Sequence, residues 1–414
     1  MNPHMRPNPQ HASEEIAAPT GFPHSESSCS LHTVSECRPT FASLGAAMGI
    51  SFGGLEFFTG PVVLGGPDDL DQVVRDFING AVKRLHIAVQ ELDSRSIAEA
   101  VVAAKQRGVR VQVILEGDYL VDAPASADPW AALGGHEDNR VIYNALLRAG
   151  IDVITDLNPE IFHQKFVVRD PGLPTAAVLT GSTNFTKTDT GTNTPGGGPT
   201  RGNNLNHLVI LHGKKASAQY MLEFERLRSG TFGALHERHE PKPEEFRLGG
   251  LRVKPLFAPR HGPEMEIMKQ MLKAKDTVDF AMFTFAQSSG IDDTMMRLVP
   301  SVAHLRGLLH RGQGAQAWAA TQPLKAAGVQ LFQNRNGVGV RKVHHKLMVI
   351  DGRLTILGSF NYTAPATTLN DENIVVLGDL EEADPAAEAA QRQLAAFALA
   401  EINRMIAQLA EPVP

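Results

Sequence analysis

The stretch VHHKLMVID, from Val343 to Asp351, sets two histidines and a lysine at the head of an apolar run and closes on an aspartate. Alone it reads as a buried strand with a polar lip. It reads differently because FHQKFVVRD, from Phe162 to Asp170, repeats the pattern. His163, Lys165 and Asp170 in the first block answer to His344, Lys346 and Asp351 in the second, at identical spacing. Each motif is followed by Gly-Ser-x-Asn-x-Thr, in LTGSTNFT and LGSFNYT. These turns add Ser182 and Asn184 to the first set, and Ser359 and Asn361 to the second.

The likeness extends outward from the motifs. Gly150 answers to Gly328 and Gly181 to Gly358, a period that suits a duplicated domain rather than a solenoid. SIAEAVVAAKQRG followed by VRVQVIL reads as helix, glycine stop and buried strand. Such alternation predicts an α/β fold, a mixed β-sheet flanked by helices, and the duplication predicts two pseudo-symmetric lobes packed across a pseudo-two-fold axis that brings the two motif sets face to face at the lobe interface. VAHLRGLLHRGQGAQAW, residues 302–318, reads as a weak strand only. An alanine-rich helix from about Asp384, with Pro385 in its first turn, closes the chain.

The expected domains are a disordered tail over 1–47, a first lobe over 48–240 and a second lobe over 241–414 that includes the closing helix. The tail is rich in Pro, Ser, His and Glu, without apolar periodicity. It holds both cysteines, Cys29 and Cys37, so the body offers neither a thiolate zinc site nor a cysteine nucleophile. FASLGAAMGISFGGLEFF, residues 41–58, leaves open an export segment or a start at Met48, with a cytoplasmic location favoured. No uninterrupted apolar run is long enough for a membrane span. A net charge of -6 gives no global basic field to attract nucleic acid or an anionic surface.

Residues two apart on a strand share a face, so each histidine points with its lysine, and His345 faces away. A phosphodiester needs such a set. A neutral imidazole can attack phosphorus, and a second imidazole can protonate the leaving oxygen. Two lysines, with Ser182, Asn184, Ser359 and Asn361, can hold the charged oxygens. Two in-line displacements through a phosphohistidine retain configuration. The lysines carry the charge, so no metal or other cofactor is required.

The paired motifs resemble those of the phospholipase D superfamily, over about Leu55 to Leu380. The resemblance implies a two-lobed α/β sandwich, and FAPRHGPEMEIMKQMLKAKDTVDFAMFTF looks like the opening of a family lobe. It also implies an acid after each Gly-Ser turn to orient a site histidine. The second block has Glu372, in DENIVVL; the first has Asn203, in GNNLNHLVIL. Family usage makes the N-terminal histidine, His163, the nucleophile. Glu372 is then expected behind His344, the acid and base. Asp170 and Asp351 are counted with the catalytic set, a strand-ending turn being their other reading.

The substrate stays open. A phospholipid head group is favoured, with Phe162, Phe185, Phe360 and Tyr362 expected as apolar surface at the site. A nuclease is the alternative, supported by Arg335, Arg341 and Lys342 ahead of the second motif. Transfer to another alcohol and an inactive scaffold stand behind these. The chain is expected to act as a monomer on its phosphodiester. KTDTGTNTPGGGPTRG, residues 187–202, is expected as a loop beside the site, and His207, His212, His236 and His239 show no ligand spacing.

Overall fold

Alternation along the two motif strands decides how the chain layers. In Lys165–Arg169, Phe166 and Val168 face a core shared by the two halves, and Val167 faces a second core on the other side. In Lys346–Ile350, Leu347 and Val349 face the shared core, and Met348 and Ile350 face a third. A period of two thus divides each strand between two apolar layers. The computed structural model describes residues 49–121, 126–132, 134–193, 202–235 and 241–414. Cys29, Cys37, Met48, His236, His239 and residues 194–201 lie outside these.

Each half contributes one mixed sheet. The first runs Ile50–Phe52, Leu55–Gly60, Asn203–His212, Ala177–Gly181, Lys165–Arg169, Arg84–Val89, Arg110–Leu115 and Asp152–Thr155. The second repeats that order as Phe246–Leu248, Leu251–Ala258, Glu372–Leu377, Leu354–Gly358, Lys346–Ile350, Thr277–Met282, His304–Leu309 and Gln330–Asn334, with Ala410–Pro412 added at its edge. Arg84–Val89 and Arg110–Leu115 are parallel, because the helix Arg95–Gln106 crosses between them. The motif strands pair antiparallel with both neighbours. Helices Leu70–Asn79, Arg95–Gln106 and Glu137–Arg148 cover the outer face of the first sheet. Pro263–Met271, Ile291–Leu298 and Thr321–Ala327 cover that of the second.

Lys214–Arg228 and Pro385–Leu409 bury Tyr220, Phe224, Leu394, Ala398 and Met405 in the shared core. The second of these starts as the sequence suggests, with Asp384 accepting from Ala387 N at 2.8 Å and Pro385 in the first turn. The weak strand is instead a full one: His304–Leu309 lies parallel between two neighbours. Its Gly307 is dictated by packing, since a Cβ there would sit 2.0 Å from Cζ of Phe280.

One strand breaks the separation of the halves. Val340–Val343, just before the second motif, pairs in parallel with Asn203–His212 of the first sheet. The reciprocal contact is a parallel bridge between Phe162 and Asp371. His163 N donates to Asp371 O at 2.9 Å, and His344 N donates to Leu205 O at 3.0 Å. Each histidine is therefore delivered to the opposite lobe's strand.

Candidate active site at the lobe junction

The exchanged segments bring the two motif histidines together. Their ring centroids are 6.4 Å apart and their planes cross at 79°. Both line a cavity of about 750 Å³ with residues from both halves, among them Asn184, Asn204, Phe283, Lys342 and Asn361. Lys165 and Lys346 lie buried beside the histidines. Lys165 Nζ donates to His163 O at 2.9 Å and Gln90 Oε1 at 3.1 Å, and Lys346 Nζ donates to His344 O at 2.8 Å. The ring of Phe283 stands against His344, with the ammonium groups of Lys342 and Lys346 each 5.2 Å from its centre.

The acid arrives from the other side. Glu372 Oε2 lies 2.6 Å from Nδ1 of His163, not of His344. The strand exchange is the cause, because the start of Glu372–Leu377 runs beside Phe162 and His163. The residue equivalent to Glu372 is Asn206 rather than Asn203. Ser182 Oγ donates to Asn206 Oδ1 at 2.8 Å as Ser359 Oγ donates to Glu372 Oε2 at 2.7 Å. Asn206 Oδ1 lies 2.9 Å from His344 Nδ1. Asn203 is held instead by Asn193 O, at 3.3 Å. The signal was present in the apolar runs: LVIL in the first block and IVVL in the second align Asn206 with Glu372.

The Gly-Ser turns are shaped by close approach. A Cβ on Gly181 would lie 2.3 Å from His207 O, and one on Gly358 2.3 Å from Asn373 O. Both glycines have positive φ, 154° and 147°. Ser182 and Ser359 are fully buried and spend their hydroxyls on the acceptors behind the histidines, so they brace the site instead of facing a substrate. Asn184 and Asn361 do line the cavity, each with its Oδ1 enclosed, which leaves the amide end toward the open space.

Asp170 and Asp351 are not brought to the cavity. Asp170 accepts from the backbone N–H groups of Val82, Lys83 and Arg84 at 2.7 to 2.9 Å, and Asp351 from those of Lys275, Asp276 and Thr277 at 2.8 to 2.9 Å. Both residues adopt left-handed backbone, with φ of 49° and 52°. Nor do the expected aromatics form the site's surface. Phe162, Phe185, Phe360 and Tyr362 are buried in the cores, and the apolar lining comes from Tyr119, Ile161, Phe283, Ala286, Trp318 and Pro365. Of the basic residues ahead of the second motif, Arg341 and Lys342 reach the cavity, whereas Arg335 binds Gln408 O near the closing helix. The segment after the first Gly-Ser turn opens with a helical turn, Lys187–Thr190. Asp189 from that turn, with Glu91 and Asp93, forms an acidic wall the sequence did not disclose. His345 faces away, its Nδ1 3.0 Å from that of His207.

Burial and charge set the protonation states. Burial, with Lys165, Lys346 and Lys342, holds the His163 imidazole well below its usual value. Burial, with Lys346 and Lys342, does the same to His344. Both rings are thus held neutral. Burial lowers Lys165 to about 7 against the opposing pull of Glu372 and Asp189, and lowers Lys346 well below the lysine range. Burial pushes Glu372 upward, and Lys165 and the Ser359 hydroxyl pull it back toward the ionised form. Glu91 is raised to about 8 by burial and by Asp93 and Asp189. Among the described residues no group of three or more His, Cys, Asp or Glu is placed to hold a metal ion. No helix among them is long and apolar enough to cross a membrane.

A family profile described as "Cardiolipin synthase, PLD-like domain" matches residues 74–228 and 267–394, the greater part of the chain. A mitochondrial cardiolipin hydrolase of Chlamydomonas reinhardtii is 32% identical over 106 residues, 26% of this chain and 46% of that protein. The chain therefore spans about half the length of that relative. A phospholipase D of Rickettsia felis is 28% identical over 156 residues, 35% of this chain and 72% of that protein. Among solved structures, a phosphatidylserine synthase of Haemophilus influenzae superposes with a TM-score of 0.60 at 12% identity, covering 88% of each chain. A polyphosphate kinase of Porphyromonas gingivalis superposes with a TM-score of 0.52 at 13% identity, over 83% of this chain and 50% of that one. These two likenesses concern the fold. The family match, the repeated motifs and the histidines they bring face to face place this chain in the phospholipase D superfamily, with the PLD-like domain present twice.

Proposed function

We propose that the chain hydrolyses a phosphodiester through a phosphohistidine, and that its substrate is a phospholipid cleaved at the head group. The observation that supports this most directly is the pair of histidines facing each other with unlike partners, His163 on a carboxylate and His344 on an amide. With Nδ1–H held by the Glu372 carboxylate, His163 presents the Nε2 lone pair to phosphorus, and the carboxylate offsets the positive charge the ring acquires. The P–O bond to the leaving alcohol breaks as the N–P bond forms. His344 delivers a proton to that oxygen. Burial and the lysines keep His344 neutral, and an anionic phosphodiester among Lys165, Lys346 and Lys342 offsets the lysines' share, so substrate binding itself favours loading of the acid. The lysines and the amides of Asn184 and Asn361 hold the non-bridging oxygens. In the second step His344 takes a proton from water, the water oxygen attacks phosphorus, and the N–P bond breaks. Two inversions give net retention.

The head-group reading is supported by the names of the relatives, a phospholipase D and a cardiolipin hydrolase, and by the half-exposed Ile161 and Trp318 in the cavity wall. Arg341 and Lys342 in the same wall give the nuclease reading its one specific footing. A single panel separates them: phosphatidylcholine vesicles, cardiolipin vesicles, and single- and double-stranded DNA and RNA, with His163→Asn and His344→Asn as controls. The expected result is head-group release from lipid, reduced by about 10³-fold or more in either variant, with acid-labile phosphate trapped on His163. Nucleic-acid cleavage that falls steeply with salt, without head-group release, overturns the lipid assignment. Near-normal turnover in either variant overturns the two-histidine mechanism.

A further inference from the structure

The two halves differ at two positions that compensate each other. Where the second half has Glu372 the first has Asn206. Where the second half has Ala366 the first has Asp189. This second equivalence rests on matching caps: Asp189 N donates to Thr186 Oγ1 at 3.1 Å, and Ala366 N donates to Thr363 Oγ1 at 3.3 Å. Thr186 and Thr363 occupy the same place in the repeated Gly-Ser-x-Asn-x-Thr. The half without an acid on its strand thus carries one in the adjoining helical turn.

That acid reaches the same histidine. Asp189 is 1% exposed. Its Oδ1 accepts from Asn206 Nδ2 at 3.0 Å and from Asn204 Nδ2, and its Oδ2 accepts from Asn184 N at 3.1 Å. Asn206 in turn offers Oδ1 to His344 Nδ1 at 2.9 Å. Asp189 Oδ1 also lies 3.6 Å from that nitrogen. The amide of Asn206, fixed at its Nδ2 end by the carboxylate, can present only its carbonyl oxygen to the ring. This forces the proton onto Nδ1 and leaves Nε2 toward the cavity. When His344 takes up a second proton, the buried negative charge behind Asn206 stabilises the imidazolium.

We propose that Asp189 is the positioning residue for His344, acting through Asn206 in the role that Glu372 fills directly for His163. This rests on the reading of His344 as proton donor and acceptor. It adds the source of the negative charge that a histidine backed by an amide otherwise lacks. It also explains the division of labour. The directly paired ring, His163, is suited to carry the phosphoryl group, and the indirectly paired ring, His344, to exchange protons.

The test separates proton delivery from simple bracing. Two substrates are compared: an alkyl phosphodiester, whose leaving group needs a proton, and a nitrophenyl phosphodiester, whose leaving group does not. For Asp189→Asn the expected result is a fall of about 10²-fold in turnover of the alkyl substrate, the lower end of what a positioned proton donor contributes. The pre-steady-state burst of nitrophenolate is expected to persist, and the pH limb for protonated His344 to move to lower pH. The double substitution Asp189→Ala with Asn206→Glu copies the arrangement of Ala366 and Glu372 and is expected to restore most of the alkyl turnover. Because it supplies the acceptor that Asn204 and His344 need, it also carries the test should Asp189→Asn fail to fold. Loss of the nitrophenolate burst to the same extent as the alkyl turnover, or a folded double variant no better than Asp189→Asn, overturns the proposal. His344→Asn is the control for the underlying reading. If it alone behaves as expected and Asp189→Asn behaves as wild type, only the Asp189 role falls. If His344→Asn hydrolyses the alkyl substrate normally, the two-histidine mechanism falls with it.

Discussion

His163 and His344 share a motif, burial and a lysine two residues on, yet each ring meets a different chemical group at Nδ1. In the proposed reaction the lysines decide when the site attracts a phosphate. A buried ammonium group loses charge readily, and Lys165, lowered by burial to about 7, sits where a modest change of pH alters its state. Below that value it is charged and attracts an anion; above it the attraction fades. A competitive tetrahedral oxyanion whose own charge is constant over this range, such as tungstate, is therefore expected to bind about tenfold more weakly for each pH unit above 7. Lys165→Met should bind it weakly at every pH and without that slope. Inhibition constants measured between pH 6 and 9 check this, and a flat profile in the wild type means that Lys165 does not titrate there.

At the scale of single elements, the motif's third member tells a different story from its first two. Asp351 ends its strand in left-handed backbone and gathers three backbone N–H groups from the residues that begin the neighbouring strand. Replacing it with Asn substitutes a neutral amide for a carboxylate that accepts three donors. Asp351→Asn is expected to lower stability by about 1–3 kcal/mol, with kcat of the folded enzyme unchanged. Thermal melts alongside turnover check it, and a large fall in kcat at unchanged stability would restore Asp351 to the chemistry. The same contrast explains what the sequence could and could not say. His163 with Lys165, and His344 with Lys346, were legible because a strand's period of two puts them on one face whatever surrounds them. Asp351 was ambiguous because spacing along a strand does not say whether a carboxylate turns toward a cavity or toward the backbone next door. Matching polar residues points to Asn203, whereas the apolar run that sets the register of a buried strand points to Asn206. That Glu372 stands behind His163 and not His344 is invisible in the sequence, because strand exchange between halves leaves no local mark. His304–Leu309 looked weak because its Gly307 answers to the ring of Phe280, a contact made only in the folded sheet.

Across the whole molecule the two halves are interlaced. Val340–Val343 lies in the other half's sheet, Phe162 bridges Asp371, and the helix Pro385–Leu409 buries residues in the core they share. Pulling the halves apart breaks the strand pairing next to both histidines. Loss of activity and loss of global structure are therefore expected at the same urea concentration, as one transition. Activity and far-ultraviolet circular dichroism followed on the same samples check this; activity vanishing well before the fold would show that the halves part while each stays folded. The interlacing also bears on how such a chain can change through descent. A substitution behind His163 is felt at position 372, and one behind His344 at positions 189 and 206, so each histidine's fate is tied to residues of the opposite copy. After duplication the copies were not free to drift as spares. Each became the custodian of the other's histidine, and a change tolerated in one had to be answered in its twin.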